Sequence, residues 1–210
     1  MRIQSLNRFA VLAALVAATA SCGDVVRQGR APVFLVMDRL EAIAGGRTVG
    51  VAASTLRSDV ITNIITPEPC STAAPCPTVF NDSGSVTLRI VPKDLGTPTA
   101  PTVPTSNNDV TIDRYRVVYR RTDGRNTPGV DVPYPFDGAV TGTVPSSGTL
   151  SLAFLLVRLV AKHEAPLVQL QDSPTFIDMI AEISFYGQDR VGNDVSVTGK
   201  ILIEFGNFGD

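Results

Sequence analysis

From Ser83 onward the chain alternates apolar and polar positions, a pattern that predicts strands. Val86, Leu88 and Ile90 alternate with Ser85, Thr87 and Arg89 between Ser83 and Pro92, the period-two pattern of a strand with one face in a core and the other in water. Val110 to Arg121 repeats it. Tyr115, Val117 and Tyr119 form the face expected to point inward, and Arg114, Arg116 and Arg120 the face expected to meet solvent. Phe176 to Tyr186 puts Ile177, Met179, Ala181, Ile183 and Phe185 on one parity, and Asp194 to Phe205 does the same for Val195, Val197, Ile201 and Ile203. Between these strands, Gly138 to Thr143 reads as a short polar strand at an edge, because Pro133, Pro135 and Pro145 bound it and proline has no N–H to give an interior ladder.

Elsewhere the pattern is less regular. Leu150 to Ala161 is apolar apart from Ser151 and Arg158, too short and too broken to span a bilayer; its turn-bounded, β-rich surroundings favour a core strand over a helix. Val33 to Val36 predicts a first strand. Asp38 to Ala44 carries Leu40 and Ile43 at helical spacing before Gly45-Gly46, which allows one or two turns of helix there. Thr48 to Ala53 and Asp59 to Thr66 are further strand candidates, with a bulge or bend at Thr62-Asn63. Gly96 to Asn108, with Pro98, Pro101 and Pro104, predicts an extended loop.

The last two strands are joined by Gln188-Asp189-Arg190-Val191-Gly192-Asn193-Asp194. Here Asp189 is placed to accept backbone N–H groups, Gly192 to take positive φ, and Asn193 to adopt a left-handed or Asx-turn geometry. Strand, Asp-x-x-Gly-Asn, strand resembles the closing hairpin of bacterial immunoglobulin-like and fibronectin type III-like modules. The resemblance implies an all-β fold, an immunoglobulin-like antiparallel β-sandwich with an N-terminal extension. With no tryptophan and no paired inter-sheet cysteines, the chain does not resemble antibody-type domains. The expected organisation is one domain over 33–210, with 33–82 a strand-forming extension and 83–210 the core.

The N-terminus changes the picture. Met1 to Arg8 carries Arg2 and Arg8 and no acid, Phe9 to Ala18 is apolar, and Thr19-Ala20-Ser21 supplies small residues before Cys22. The segment resembles a bacterial lipoprotein signal, which implies a signal over 1–21, acylation of Cys22 as the first mature residue, and a tether over 22–32. Gly23, not Asp, follows Cys22, which by the same resemblance directs the protein to the outer membrane of a diderm host. Several acyl chains make a lasting membrane anchor where one would not.

Charge offers no other attachment. The chain has 18 Lys and Arg against 20 Asp and Glu, and two of the basic residues fall in the N-terminal segment, so nothing favours nucleic acid or an anionic surface. Outside the cytoplasm, and with Cys22 acylated, Cys70 and Cys76 are most simply a local disulfide.

Catalytic groups are sparse. His163 is the sole histidine, set between Lys162 and Glu164 after an apolar stretch, and the nearby Ser147 and Ser151 form no Gly-x-Ser-x-Gly elbow. Asp189, Asn193 and Asp194 could give oxygen ligands to calcium, but their spacing does not match an EF-hand and turn capping explains them. No metal or cofactor is called for. Tyr134 and Phe136 sit in a proline-stiffened loop, either as interface aromatics or as a cover for the core. The expected function is a non-enzymatic binding or structural module of the cell envelope, joined to the membrane by lipid and to another envelope protein. The alternative is a module that binds or processes glycans.

Overall fold

The structure, a computed structural model, describes residues 29–48 and 50–209. It is an all-β domain. Its strands are β1 (Val33–Ile43), β2 (Thr55–Asp59), β3 (Thr62–Ile64), β4 (Cys76–Thr78), β5 (Asp82–Pro92), β6 (Gly96–Thr97), β7 (Ala100–Pro101), β8 (Val110–Arg121), β9 (Phe136–Val144), β10 (Leu150–Val157), β11 (Ile177–Asp189) and β12 (Asp194–Gly206). Strands β1, β5 and β10 form an antiparallel sheet with β5 in the centre. A second, mixed sheet has the order β2-β12-β11-β8-β9, in which β2 runs parallel to β12 and every other pair is antiparallel. The pairs β3-β4 and β6-β7 are small separate ribbons.

The inward faces are the ones the alternation marks. Val86 and Leu88 on β5, Val117 and Tyr119 on β8, Met179, Ala181, Ile183 and Phe185 on β11, and Ile201 and Ile203 on β12 are buried. Arg114, Arg116 and Arg120 face outward. Burying each large apolar side chain is worth about 1.5–3 kcal/mol, and this shared interior holds the two sheets together. Aromatic packing crosses between them. The Phe154 ring of β10 lies 5.2 Å from Phe185 and 5.4 Å from Tyr115, both edge-on, an arrangement that adds about 0.5–1.5 kcal/mol per pair beyond area burial. Tyr119 donates its hydroxyl to the Leu156 carbonyl at 2.6 Å, a further link from β8 to β10.

Several segments depart from the sequence expectations. Among the described residues of 48–53 only Ala53 is paired, in an isolated bridge to Ala42; the strand lies instead at Thr55–Asp59, and the rest of the expected strand from Asp59 to Thr66 is reduced to β3. The stretch from Asp38 is strand, not helix: a β-bulge between Met37 and Arg39 switches which parity faces in. Val33, Leu35 and Met37 pack before the bulge and Leu40 and Ala42 after it, so the pattern mimics helical spacing. The apolar run from Leu150 is strand only as far as Val157, after which Leu159–Lys162 make one turn of helix, α1. The proline-rich segment 96–108 is mostly irregular but includes the β6-β7 ribbon and a 3₁₀ turn at Ser106–Asn108. Within 33–82, β1 and β2 are edge strands, one in each main sheet, and their Val33, Leu35, Ala42 and Leu56 belong to the same core as the later strands.

Candidate interaction surface

The two ends of the domain differ. At one end, the loops 43–55, 59–82 and 158–176 meet at a buried ionic cluster, and the loop 122–135 lies at the same end. Asp82 opens β5 on the parity of Gly84, Val86, Leu88 and Ile90, and so points inward. Lys162 closes α1. Its Nζ lies 2.9 Å from Asp82 Oδ2, and both side chains are 1% exposed. Ser58 Oγ donates to the same oxygen at 2.6 Å, the Gly45 N–H donates to Oδ1 at 2.7 Å, and Lys162 Nζ also donates to the Asp59 carbonyl at 2.8 Å. Gln171 extends the cluster by donating to the Lys162 carbonyl at 3.3 Å, and Asn81 Oδ1 accepts the Leu159 N–H at 2.6 Å.

Burying two charges is costly unless each is paired and hydrogen-bonded, and here both are. No substrate can reach the cluster; its work is to fasten α1 to the starts of β5 and the loop after β1, and so to shape this end. The sequence carries a signal for it. Asp82 continues the apolar parity of β5, and Lys162 ends an apolar run; a charged residue at a core position requires a partner.

Above this cluster the proline-stiffened loop divides its aromatics. Phe136 is buried, edge-on to Tyr115 at 6.2 Å and beneath the Arg158 guanidinium at 4.5 Å. Tyr134 is 52% exposed, its ring lying over Gly129, where a Cβ would fall 2.3 Å from the phenol oxygen. Gly129 also has φ +76°, so both its conformation and the ring exclude a side chain. Phe136 thus covers the core while Tyr134 stands in solvent. Val130 and Phe176, Val160 on α1 and Val168 on the 3₁₀ turn Leu167–Leu170 are exposed at the same end, and His163 is an exposed residue capping α1.

The disulfide joins Cys70, in the loop after β3, to Cys76 at the start of β4, with Cα atoms 5.3 Å apart. Cys22 lies outside the described residues, as do the whole of 1–21 and most of 22–32.

At the opposite end, the β11-β12 turn is built by Asp189. Its Oδ1 accepts the Val191 and Asn193 N–H groups at 3.0 and 2.8 Å, its Oδ2 accepts the Asn193 side-chain amide at 2.8 Å, and Gly192 takes φ +89°. Asn193 contributes through its side chain; its own φ is not positive. Asp194 Oδ1 accepts Gln188 Nε2 at 2.8 Å. These oxygens are engaged in closing the turn, and no group of three or more His, Cys, Asp or Glu among the described residues is arranged to hold a metal ion. Beside the turn, Asp109 accepts the Ser146 N–H at 2.7 Å and Arg190 at 3.0 Å, tying the start of β8 to the loops around it.

A small cleft on the flank is lined by Asp113, Arg114, Tyr186, Gln188 and Asp194, and the Arg114 guanidinium stacks on Tyr186 at 4.0 Å. Among the described residues no helix is long and apolar enough to cross a membrane. No protein-family model matches the chain, and no curated protein matches it either.

Proposed function

We propose that this protein is a lipid-anchored component of the cell envelope, held in the membrane by acyl chains on Cys22, and that its domain is a β-sandwich of immunoglobulin-like type acting as a non-enzymatic binding or structural module. The observation that carries the reading is the N-terminal arrangement of Arg2 and Arg8, the apolar stretch Phe9 to Ala18, and Thr19-Ala20-Ser21 before Cys22. The sandwich reading is supported by two main sheets sharing one aromatic-rich core and by the Asp189–Asn193 hairpin. A binding role is supported by the exposed Tyr134, Val130, Val160, Val168 and Phe176 at one end, where the Lys162–Asp82 pair fastens the segment that carries Val160. In a diderm host the outer membrane is the proposed location, and the proposed partner is another envelope protein.

Intact and N-terminal peptide mass spectrometry of protein expressed in its native host tests the anchor. The expected result is a mature chain that begins at acylated Cys22, and a Cys22→Ser variant that leaves the membrane fraction. An unacylated N-terminus elsewhere overturns the anchor. Crosslinking from Tyr134 is expected to capture an envelope protein, whereas binding or hydrolysis of a polysaccharide panel would put the glycan reading in its place.

A further inference from the structure

We infer that the end of the domain carrying Phe34, Leu95, Val103 and Val191 rests on the lipid bilayer, so that the Tyr134 end is directed away from it; the inference rests on the proposed anchor at Cys22. The described chain begins at Gly29 at this end. Pro32 accepts the Lys93 N–H at 2.9 Å, Val33 pairs with Pro92, and Gly29, Val33, Phe34 and Lys93 line one shallow groove with Val195 and Ser196 at the start of β12. The turn containing Val191 immediately precedes that start. The segment 93–109 leaves from Lys93 and returns to Asp109, which Arg190 of the same turn binds, so Leu95 and Val103 are carried on a loop anchored at this end at both its limits.

Four large apolar side chains are therefore exposed around the point where the tether joins the domain: Phe34 at 56%, Leu95 at 70%, Val103 at 72% and Val191 at 73%. Chain length decides which end can reach the membrane. From Cys22 to Gly29 the fully extended chain spans at most about 25 Å, whereas β11, with 13 residues, is about 40 Å long. The tether is too short to turn the domain over and bring the far end down. Lys93 and Arg190 stand beside Asp94 and Asp109, so their charges offset one another and the contact depends on apolar side chains entering the headgroup layer. Lys93, placed over the Phe34 ring at 5.1 Å, has the long stem that allows an ammonium to stay at the polar level while the ring goes deeper.

The chain has no tryptophan, so a single introduced indole reports its own surroundings. Acylated full-length Val191→Trp, Leu95→Trp and Val168→Trp proteins would be reconstituted into phosphatidylcholine–phosphatidylglycerol vesicles, with flotation read first and tryptophan emission second, with and without lipids brominated near the headgroup. The expected result is flotation of all three, with blue-shifted and bromine-quenched emission for Val191→Trp and Leu95→Trp and unshifted, unquenched emission for Val168→Trp. Flotation with the first two unquenched, or with Val168→Trp quenched as strongly, overturns the orientation and leaves the anchor standing. Failure to float overturns both. A blue shift for Val191→Trp already present without vesicles means that protein covers this end, and also overturns the inference.

Discussion

Lys162 on α1 and Asp82 on β5 lie 2.9 Å apart with neither side chain accessible to water, and through them a loop insertion is attached to the centre of the three-stranded sheet. Removing one partner leaves the other charged, buried and unpaired. Lys162→Met is expected to cost about 3–5 kcal/mol, read as a fall in the denaturant midpoint at an unchanged slope. The double variant Lys162→Met/Asp82→Leu is expected to cost less than the sum of the two single changes, because neither charge remains. Strict additivity would show that the pair is not coupled.

Tyr119 gives an alkaline prediction. Burial raises the pKa of its hydroxyl well above the ordinary value near 10, outweighing the opposing effect of Arg158. Above that ordinary value the unfolded chain releases the proton while the folded chain keeps it, so stability is expected to fall as pH rises past about 10. Thermal unfolding between pH 8 and pH 11 (a range of ~3 units around that ordinary value) should show the decline, and Tyr119→Phe should flatten it. The same variant leaves the Leu156 carbonyl without its donor, an expected loss of about 1–3 kcal/mol at neutral pH.

Gly84 of β5 lies beneath the face of Phe154, and a Cβ there would be 2.3 Å from the ring. Gly84→Ala must push the ring off Phe185 and Tyr115, and a loss of about 1–3 kcal/mol is expected in chemical unfolding. A Gly84→Ala, Phe154→Leu pair should recover part of it, since the smaller side chain makes room for the methyl group.

The Cys70–Cys76 bond closes a short loop between β3 and β5. Chain entropy assigns such a loop about 2.4 kcal/mol. Cys70→Ser/Cys76→Ser is therefore expected to fold, with a lower melting temperature and unchanged far-ultraviolet circular dichroism. Loss of the fold would mean that the loop supports the core directly.

Where a strand has one dry and one wet face, the sequence is easily read: β8 runs over the predicted Val110–Arg121, with Tyr115, Val117 and Tyr119 inward. Reading fails where the period is interrupted. The bulge after Met37 makes β1 look helical from Asp38, and the helical turn at Leu159 is hidden because it continues an apolar run with two more exposed apolar residues, Leu159 and Val160. Parity alone also says nothing about partners. Asp189 could be assigned to its turn because its side-chain bonds are local, but the Asp82–Lys162 pair joins residues far apart in the chain, and only the fold brings them together. The split between Tyr134 and Phe136 has the same origin: both are aromatic and two places apart, and the strand that begins at Phe136 decides which one turns inward.

The parallel pairing of β2 with β12 also governs when the domain can close. Leu56 takes its place opposite Ile203, on the last strand among the described residues. A chain emerging from its N-terminus must therefore hold β2 without a ladder until the final strand is complete. The partners Thr55 and Leu202 are separated by most of the domain, whereas the β11-β12 hairpin forms from contacts close in sequence, so β2 is expected to dock after that hairpin. A ribosome or translocase that still holds Leu202 to Gly206 holds this pairing open.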